Sequence, residues 1–273
     1  MPIVEARGTE LFVERRGDAG DPLVLVHGSW VDHRTWNLIL PKLARTFSVI
    51  VYDRRGHGRS AARSGPFHLE DDVTDLVALL ETLNDYPAHV VGLSLGGSIG
   101  LRLAEKRPDL LRSLVVHEPP LYSLLGERST ERDAIMAEAA AVAARLARGD
   151  RRGAAQEFVD ALAAEEGAWD RLGSAGQDLL LAHAERWLEE YRTPDTFRID
   201  PAGLADFYAP TLLTNGALGR PIYAEILDRL AEALPNAIRQ RIPGVGHLPH
   251  LTDPDQFVGV LLSFCAERQV PPT

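Results

Sequence analysis

Short, unbroken apolar runs separated by glycine-rich turns mark the first half of the chain. Residues 23–27 (Leu-Val-Leu-Val-His) end in Gly28, and residues 48–52 run into the glycine-rich stretch 53–60. Residues 88–92 and 111–117 repeat the pattern. Runs that are apolar at every position, not at alternate ones, predict strands buried on both faces of a parallel sheet. Between them, 69–84 sets Val73, Leu76, Val77, Leu80 and Leu83 along one side of a helix. Residues 96–106 predict a second helix, stopped by Pro108. Strand and helix therefore alternate from 23 to 118, the order expected of an α/β fold with helices on both faces of a mostly parallel twisted sheet. Residues 10–14 predict an antiparallel edge strand.

The pattern changes after Glu118. Residues 130–192 are rich in Ala, Leu, Arg and Glu, and predict three or four helices broken near Gly149, Gly167 and Gly173. Pro194, Pro201 and Pro210 punctuate the exit. The sheet pattern then returns as a strand over 211–215, a helix over 221–234, a strand over 237–242 and a helix over 254–268. This predicts one α/β core domain, residues 1–118 and 206–273, interrupted by a helical cap insertion, 119–205. An insertion at that point lies over the carboxyl edge of the sheet, where α/β proteins bind ligands. Residues 269–273 read as a loose tail.

Composition narrows the class without choosing a function. A chain of 273 residues with 45% hydrophobic and 25% charged residues is neither disordered, nor fibrous, nor a membrane bundle. A net charge of −10, with Lys42 and Lys106 the only lysines, argues against a nucleic-acid partner. The run Arg145, Arg148, Arg151, Arg152 reads as a solvated helix face. The lone Cys265 has no internal disulfide partner and reads as a buried small hydrophobe. No Cys/His cluster has zinc spacing, so no metal is expected. No secretory h-region and no apolar run of ~20 residues is present, so the expectation is a cytoplasmic protein without a membrane partner, monomeric or homodimeric.

The candidate chemistry sits at the predicted strand ends. Gly92-Leu93-Ser94-Leu95-Gly96 fits G-x-S-x-G between a strand and a helix. A turn that sharp forces the central residue into a strained backbone state and requires small neighbours on either side. It lifts the Ser94 hydroxyl above the sheet, and serine at that point indicates acyl transfer. His27-Gly28-Ser29-Trp30 follows the first parallel strand. Its Ser29 N–H, with the Leu95 N–H, is the expected oxyanion hole. His27 reads as an organiser of that loop. Gly244-Val245-Gly246-His247 follows the last strand. A loop histidine flanked by glycines has no core-packing duty, so His247 is the expected general base, with His250 as its local rival.

These pieces, with Asp53-Arg54-Arg55-Gly56-His57-Gly58-Arg59-Ser60, resemble the α/β-hydrolase superfamily over roughly residues 8–268. The resemblance is specific for fold and poorly specific for substrate. It implies that 53–60 is a structural turn. It also implies a triad acid, which in most members is an Asp in a G-x-x-D setting after the strand that follows the cap. Here that region reads Gly216-Ala217-Leu218-Gly219-Arg220, with glycine at the acid position. The setting Val116-His117-Glu118-Pro119-Pro120 at the end of the fourth parallel strand resembles zearalenone-type lactone hydrolases, whose acid is that glutamate. Glu118 is accordingly the expected acid. Its competitors are Asp228 as the acid and a purely cap-anchoring role for Glu118. His117 points to the opposite face.

The resulting expectation is a serine hydrolase that cleaves a medium-sized hydrophobic ester or lactone without a cofactor, through Ser94, His247 and Glu118. Trp30, Tyr122, Leu125, Trp187 and Tyr191 are the expected substrate-binding residues, with packing beneath its loop the alternative for Trp30. Phe158, Leu124 and Trp169 are further candidates for an apolar lining. The same residues also admit carbon–carbon hydrolysis of a β-diketone-like substrate, perhydrolase or cofactor-free oxygenase chemistry, and a non-catalytic small-molecule-binding role.

Overall fold

The structure is a computed structural model that describes residues 3–126, 129–162 and 167–266. Eight strands form one sheet: β1 (Ile3–Ala6), β2 (Thr9–Arg16), β3 (Pro22–Val26), β4 (Ser48–Tyr52), β5 (Ala88–Leu93), β6 (Leu111–His117), β7 (Thr211–Gly216) and β8 (Ala237–Ile242). Their spatial order is β1-β2-β4-β3-β5-β6-β7-β8. β1/β2 and β2/β4 pair antiparallel, and the other pairs are parallel. The edge strand expected at 10–14 is therefore the middle of β2. β1 was not expected: four residues, Ile-Val-Glu-Ala, two of them exposed, give too short a pattern to read.

The continuous apolar runs are explained by burial on both sheet faces. Leu23, Leu25, Val49, Val51, Val91 and Val115 enter one core, with α1 (Leu40–Leu43) and α10 (Pro254–Ala266). Their neighbours Val24, Val26, Ile50, Tyr52, Val90 and Val116 enter the other, with α2 (Leu69–Leu83), α3 (Leu95–Lys106) and α8 (Pro221–Ala233). Side chains alternate across a strand, so two covered faces demand apolar residues at both parities. Cys265 is fully buried in the first of these cores, as expected.

Between β6 and β7 lie α4 (Thr130–Ala147), α5 (Arg151–Glu157), α6 (Ala168–Arg171) and α7 (Gly173–Arg192). Gly149, Gly167 and Gly173, at the breaks between these helices, all have positive φ, which glycine adopts without steric cost. The apolar side of this helical layer is continuous with the second core. Arg148 is exposed and Arg145 pairs with Asp150 and Glu157, while Arg152 lies over the Trp169 ring at 5.4 Å. A short helix, α9 (Pro249–Thr252), precedes α10. The tail expected at 269–273 lies outside the described residues. Among the described residues no helix is long and apolar enough to cross a membrane.

Candidate active site

Ser94 occupies the turn from β5 into α3 with φ 54° and ψ −123°. A Cβ at Gly92 would collide with the Gly96 carbonyl, and one at Gly96 with the Val26 carbonyl. The pair of glycines is thus required by backbone packed on backbone. The Ser94 N–H donates to the His117 carbonyl at 2.8 Å, which ties the strained turn to β6. Trp30 and Glu118 also have positive φ, 67° and 44°. Each such non-glycine conformation costs about 1–3 kcal/mol, and three of them stand just beyond the ends of β3, β5 and β6.

His247 and Glu118 meet, and His247 lines the same cavity as Ser94. His247 Nδ1–H donates to Glu118 Oε2 at 2.7 Å, and the Gly216 N–H donates to Glu118 Oε1 at 2.9 Å. Both carboxylate oxygens of a fully buried group are therefore satisfied. Burial pushes the Glu118 carboxyl up. The His247 hydrogen bond, the nearby imidazoles and the Gly216 N–H outweigh this and hold it below the usual glutamate value. Bonding through Nδ1 leaves Nε2 as the acceptor on a ring that shares a cavity wall with Ser94. Tyr223 stacks on that ring, with centroids 5.3 Å apart. Gly219 makes room for Glu118: a Cβ there would lie 2.5 Å from Glu118 Oε1, so the glutamate fills the space of a side chain at 219.

The rival residues have other partners. His250 is buried, its Nε2 lies 2.7 Å from Thr35 Oγ1, and its ring packs on Trp36 at 4.8 Å. Burial lowers its pKa to about 3. Asp228 lies at the surface and pairs with Arg239. His117 Nδ1 meets Thr214 Oγ1 at 3.0 Å, and burial holds its pKa to about 4. His27 Nδ1 donates to the Gly28 carbonyl at 2.9 Å, and its Nε2 accepts the Arg54 N–H at 3.0 Å. Burial, then the Arg54 charge, lowers the His27 pKa to about 3, so the ring is neutral and sets the loop.

The 53–60 segment is a built turn. Asp53 Oδ1 accepts the His33 N–H at 2.8 Å and lies 2.6 Å from His33 Nδ1, and Oδ2 accepts the Arg59 N–H at 2.8 Å. Asp32, His33 and Asp53 bring possible ligand atoms within 4.8 Å of one another. Arg34 already holds both Asp32 oxygens, and backbone N–H groups hold Asp53, so these residues fit a loop clasp and not an ion.

A small cavity joins these groups, with about 40 Å³ of free space. Ser29, Ser94, Leu95, Pro120 and His247 form its floor. Leu95 begins α3, whose first N–H groups have no intrahelical acceptor. Ala139, Phe158, Trp187, Glu190, Thr196 and Phe197 form the helical wall, with Tyr122 and Tyr223 at the side. A wider groove of about 510 Å³, around Gly149 and Asp178, is open to solvent on the outside of the helical layer and far in character from this site.

Of the expected binding residues, Tyr122 and Trp187 reach the cavity, and Phe158 joins them. Trp30, Leu125 and Tyr191 do not. Trp30 is fully buried behind the lining, stacked on Phe158 at 4.8 Å, because its positive φ turns it under the loop. Tyr191 stacks on the outer side of Trp187 at 5.3 Å, and Leu125 is buried in the core. Leu124 and Trp169 likewise pack away from the lining. Tyr223, Phe197 and Glu190 were not expected. Glu190 carried a readable signal: it falls with Leu180, His183, Ala184 and Trp187 on the buried side of α7, where an unpaired charge is out of place.

The Arg54 guanidinium, fully buried, joins the two halves of the site. It donates to Asp72 Oδ2 at 2.8 Å, the Gly28 carbonyl at 3.0 Å and Glu190 Oε1 at 2.7 Å. A second link runs from Asp32 Oδ2 to His183 Nε2 at 3.2 Å.

Comparisons with known proteins agree with this architecture. A model of the alpha/beta hydrolase family matches residues 23–260. "Putative carbamate hydrolase RutD" of Pseudomonas savastanoi pv. phaseolicola is 31% identical over 252 residues, covering 89% of this chain and 92% of that protein. "Uncharacterized hydrolase YraK" of Bacillus subtilis is 34% identical over 124 residues, and the chain spans 45% of that relative's length. The crystal structure of a bromoperoxidase from Bacillus anthracis superposes with a TM-score of 0.78 at 27% identity, covering 94% of this chain and 96% of that one.

Proposed function

The chain belongs to the alpha/beta hydrolase family, and from that premise we propose that it is a serine hydrolase that cleaves a carboxylic ester or lactone through an acyl-enzyme. The observation that carries this reading is the buried Glu118–His247 pair, whose imidazole lines the same cavity as Ser94.

In this reading Ser94 Oγ attacks the substrate carbonyl carbon while His247 Nε2 takes its proton. Glu118 holds the ring in the tautomer that can accept, and stabilises the imidazolium that forms. The Ser29 and Leu95 N–H groups receive the oxyanion of the tetrahedral intermediate. His247 returns its proton to the leaving alkoxide, which departs as the alcohol. Water, deprotonated by the same ring, then cleaves the acyl-enzyme and releases the acid. The aromatic wall favours apolar acyl or alcohol groups. With so little free space, a bound substrate must displace part of that wall, and its outer side chains belong to the helical layer.

A second reading follows from the RutD relative, whose name gives it a carbamate. The same attack on a carbamate carbonyl would need no change in the roles above.

The test is a panel of esters, lactones and carbamates run on wild type and Ser94→Ala, with fluorophosphonate labelling of the wild type. Labelling at Ser94 and a loss of at least about 10³-fold in kcat in the variant are expected. Full turnover by Ser94→Ala would reject the mechanism.

A further inference from the structure

Among the described residues Glu190 is the single carboxylate that lines the cavity, together with Trp187, Phe197 and Phe158. Its side chain is 2% exposed. Its Oε1 accepts from Arg54 Nη2 at 2.7 Å, with His57 Nε2 at 3.7 Å. Its Oε2 is buried, and no donor among the described residues reaches it. Leaving a buried charged acceptor unsatisfied costs about 1–3 kcal/mol or more, and such atoms are rare in folded proteins. A carboxylate needed only to join α7 to Arg54 could direct its second oxygen to a donor or to solvent. This one belongs to a residue that lines the cavity shared with Ser94.

We propose that Glu190 is a specificity-determining residue that accepts a hydrogen bond from a neutral donor on the substrate, an amide N–H or a hydroxyl. The site thereby selects acyl compounds that carry such a donor over purely hydrocarbon ones. This rests on the hydrolase reading of Ser94. The donor is neutral because Arg54 already stands on the same carboxylate. A substrate ammonium at Oε2 would face that guanidinium at short range in a poorly screened interior. A site built to hydrogen-bond a substrate N–H rejects the analogue that lacks it, because its own acceptor is then left unpaired.

The test uses 4-nitrophenyl esters with acyl chains of equal length, bearing a secondary amide, the same amide N-methylated, or a terminal ammonium. Wild type should favour the N–H ester over its N-methyl counterpart by about tenfold or more in kcat/KM, mainly through KM. In Glu190→Gln the side-chain carbonyl still serves Arg54, and an NH2 group replaces Oε2. The ratio should then fall to about one. A glutamate that only joins the helix to the core would slow both esters alike and leave the ratio untouched, which overturns the proposal. So does a wild type that does not distinguish the pair, a result that needs no variant to fold. A preference for the ammonium ester overturns the neutral-donor assignment. If wild type cleaves no ester, the hydrolase reading fails separately. The parent N–H and N-methyl amides are then compared by calorimetric binding to wild type and Glu190→Gln, with the same tenfold ratio expected and its absence decisive against Glu190.

Discussion

The strand ends and the helical layer build one cavity by opposite means. At the strand ends, position is forced by backbone. Gly92 and Gly96 admit no Cβ, Ser94 and Glu118 are held at positive φ, and both Glu118 oxygens are bonded. On the helical side, position comes from packing of aromatic bulk, Phe158 on Trp30 and Trp187 on Tyr191, around one carboxylate that is only half satisfied. Groups that must hold a geometry to a fraction of an ångström sit on the rigid elements. In the proposed reading, groups that select among substrates sit where side chains can be exchanged without breaking a turn. Changes at the strand ends should therefore abolish turnover for every substrate, and changes on the helical wall should reorder substrates.

The largest effect after that of Ser94 itself belongs to Glu118. Glu118→Gln keeps the shape but no longer fixes the His247 tautomer, and kcat should fall by about 10³–10⁴-fold on all substrates alike. Steady-state kinetics on two unlike esters would show it. The Gly219 geometry sharpens this. Removing the glutamate side chain frees the space that a side chain at 219 would take, and Gly219 lies outside the left-handed region. The double variant Glu118→Gly/Gly219→Asp should recover at least about tenfold over Glu118→Gly alone, because a carboxylate returns to the same locality. Activity that survives in Glu118→Gln and vanishes in Asp228→Ala would show that the acid lies elsewhere.

The same contrast explains what could be read from sequence. Strands buried on both faces write an unbroken apolar run, so β3, β4, β5 and β6 are visible at once, and the glycines of the Ser94 turn are local steric necessities. The helix breaks at Gly149, Gly167 and Gly173 are legible for the same local reason. The wall of the cavity is not local. Arg54 and Glu190 are far apart in the chain, as are Asp32 and His183, and nothing in their neighbours' periodicity announces the pairing. Trp30 admits two readings from its place in the loop, lining the pocket or packing beneath the loop, and its backbone turns it behind Phe158.

The joint between the two regions gives a smaller but still large effect, on stability. Arg54 is fully buried between Asp72 and Glu190 and also donates to the Gly28 carbonyl. Arg54→Met removes the cation and leaves two buried carboxylates without it, which costs about 3–5 kcal/mol. Denaturant unfolding should register this as a lower midpoint at unchanged slope. A loss under about 1 kcal/mol would mean that Arg54 adds little to what holds the strand ends and the helical layer together. In that case the comparison between them loses its electrostatic part.

The smallest predicted effect separates the regions by pH. His27, His57, His117 and His250 are buried neutral at or beside the strand ends, with burial the leading cause in each case of a pKa held below 6.5. None lies in the helical layer. In the unfolded chain all four take up protons as pH falls through about 6.5, while in the folded state they do not. Stability is therefore full above that value and falls as pH drops toward the folded values of about 3–4. Between pH 7 and pH 6 each contributes a loss of roughly 0.7 kcal/mol, about 2–3 together. The Glu118 carboxyl, held below its ordinary value, loses its contribution only at lower pH and does not act in this window. Unfolding midpoints at pH 7, 6 and 5 should fall progressively, and His250→Asn should flatten the slope by about one proton. A stability profile flat over that range would mean that these imidazoles take up protons in the native state, and that the strand ends are less rigid than their geometry requires.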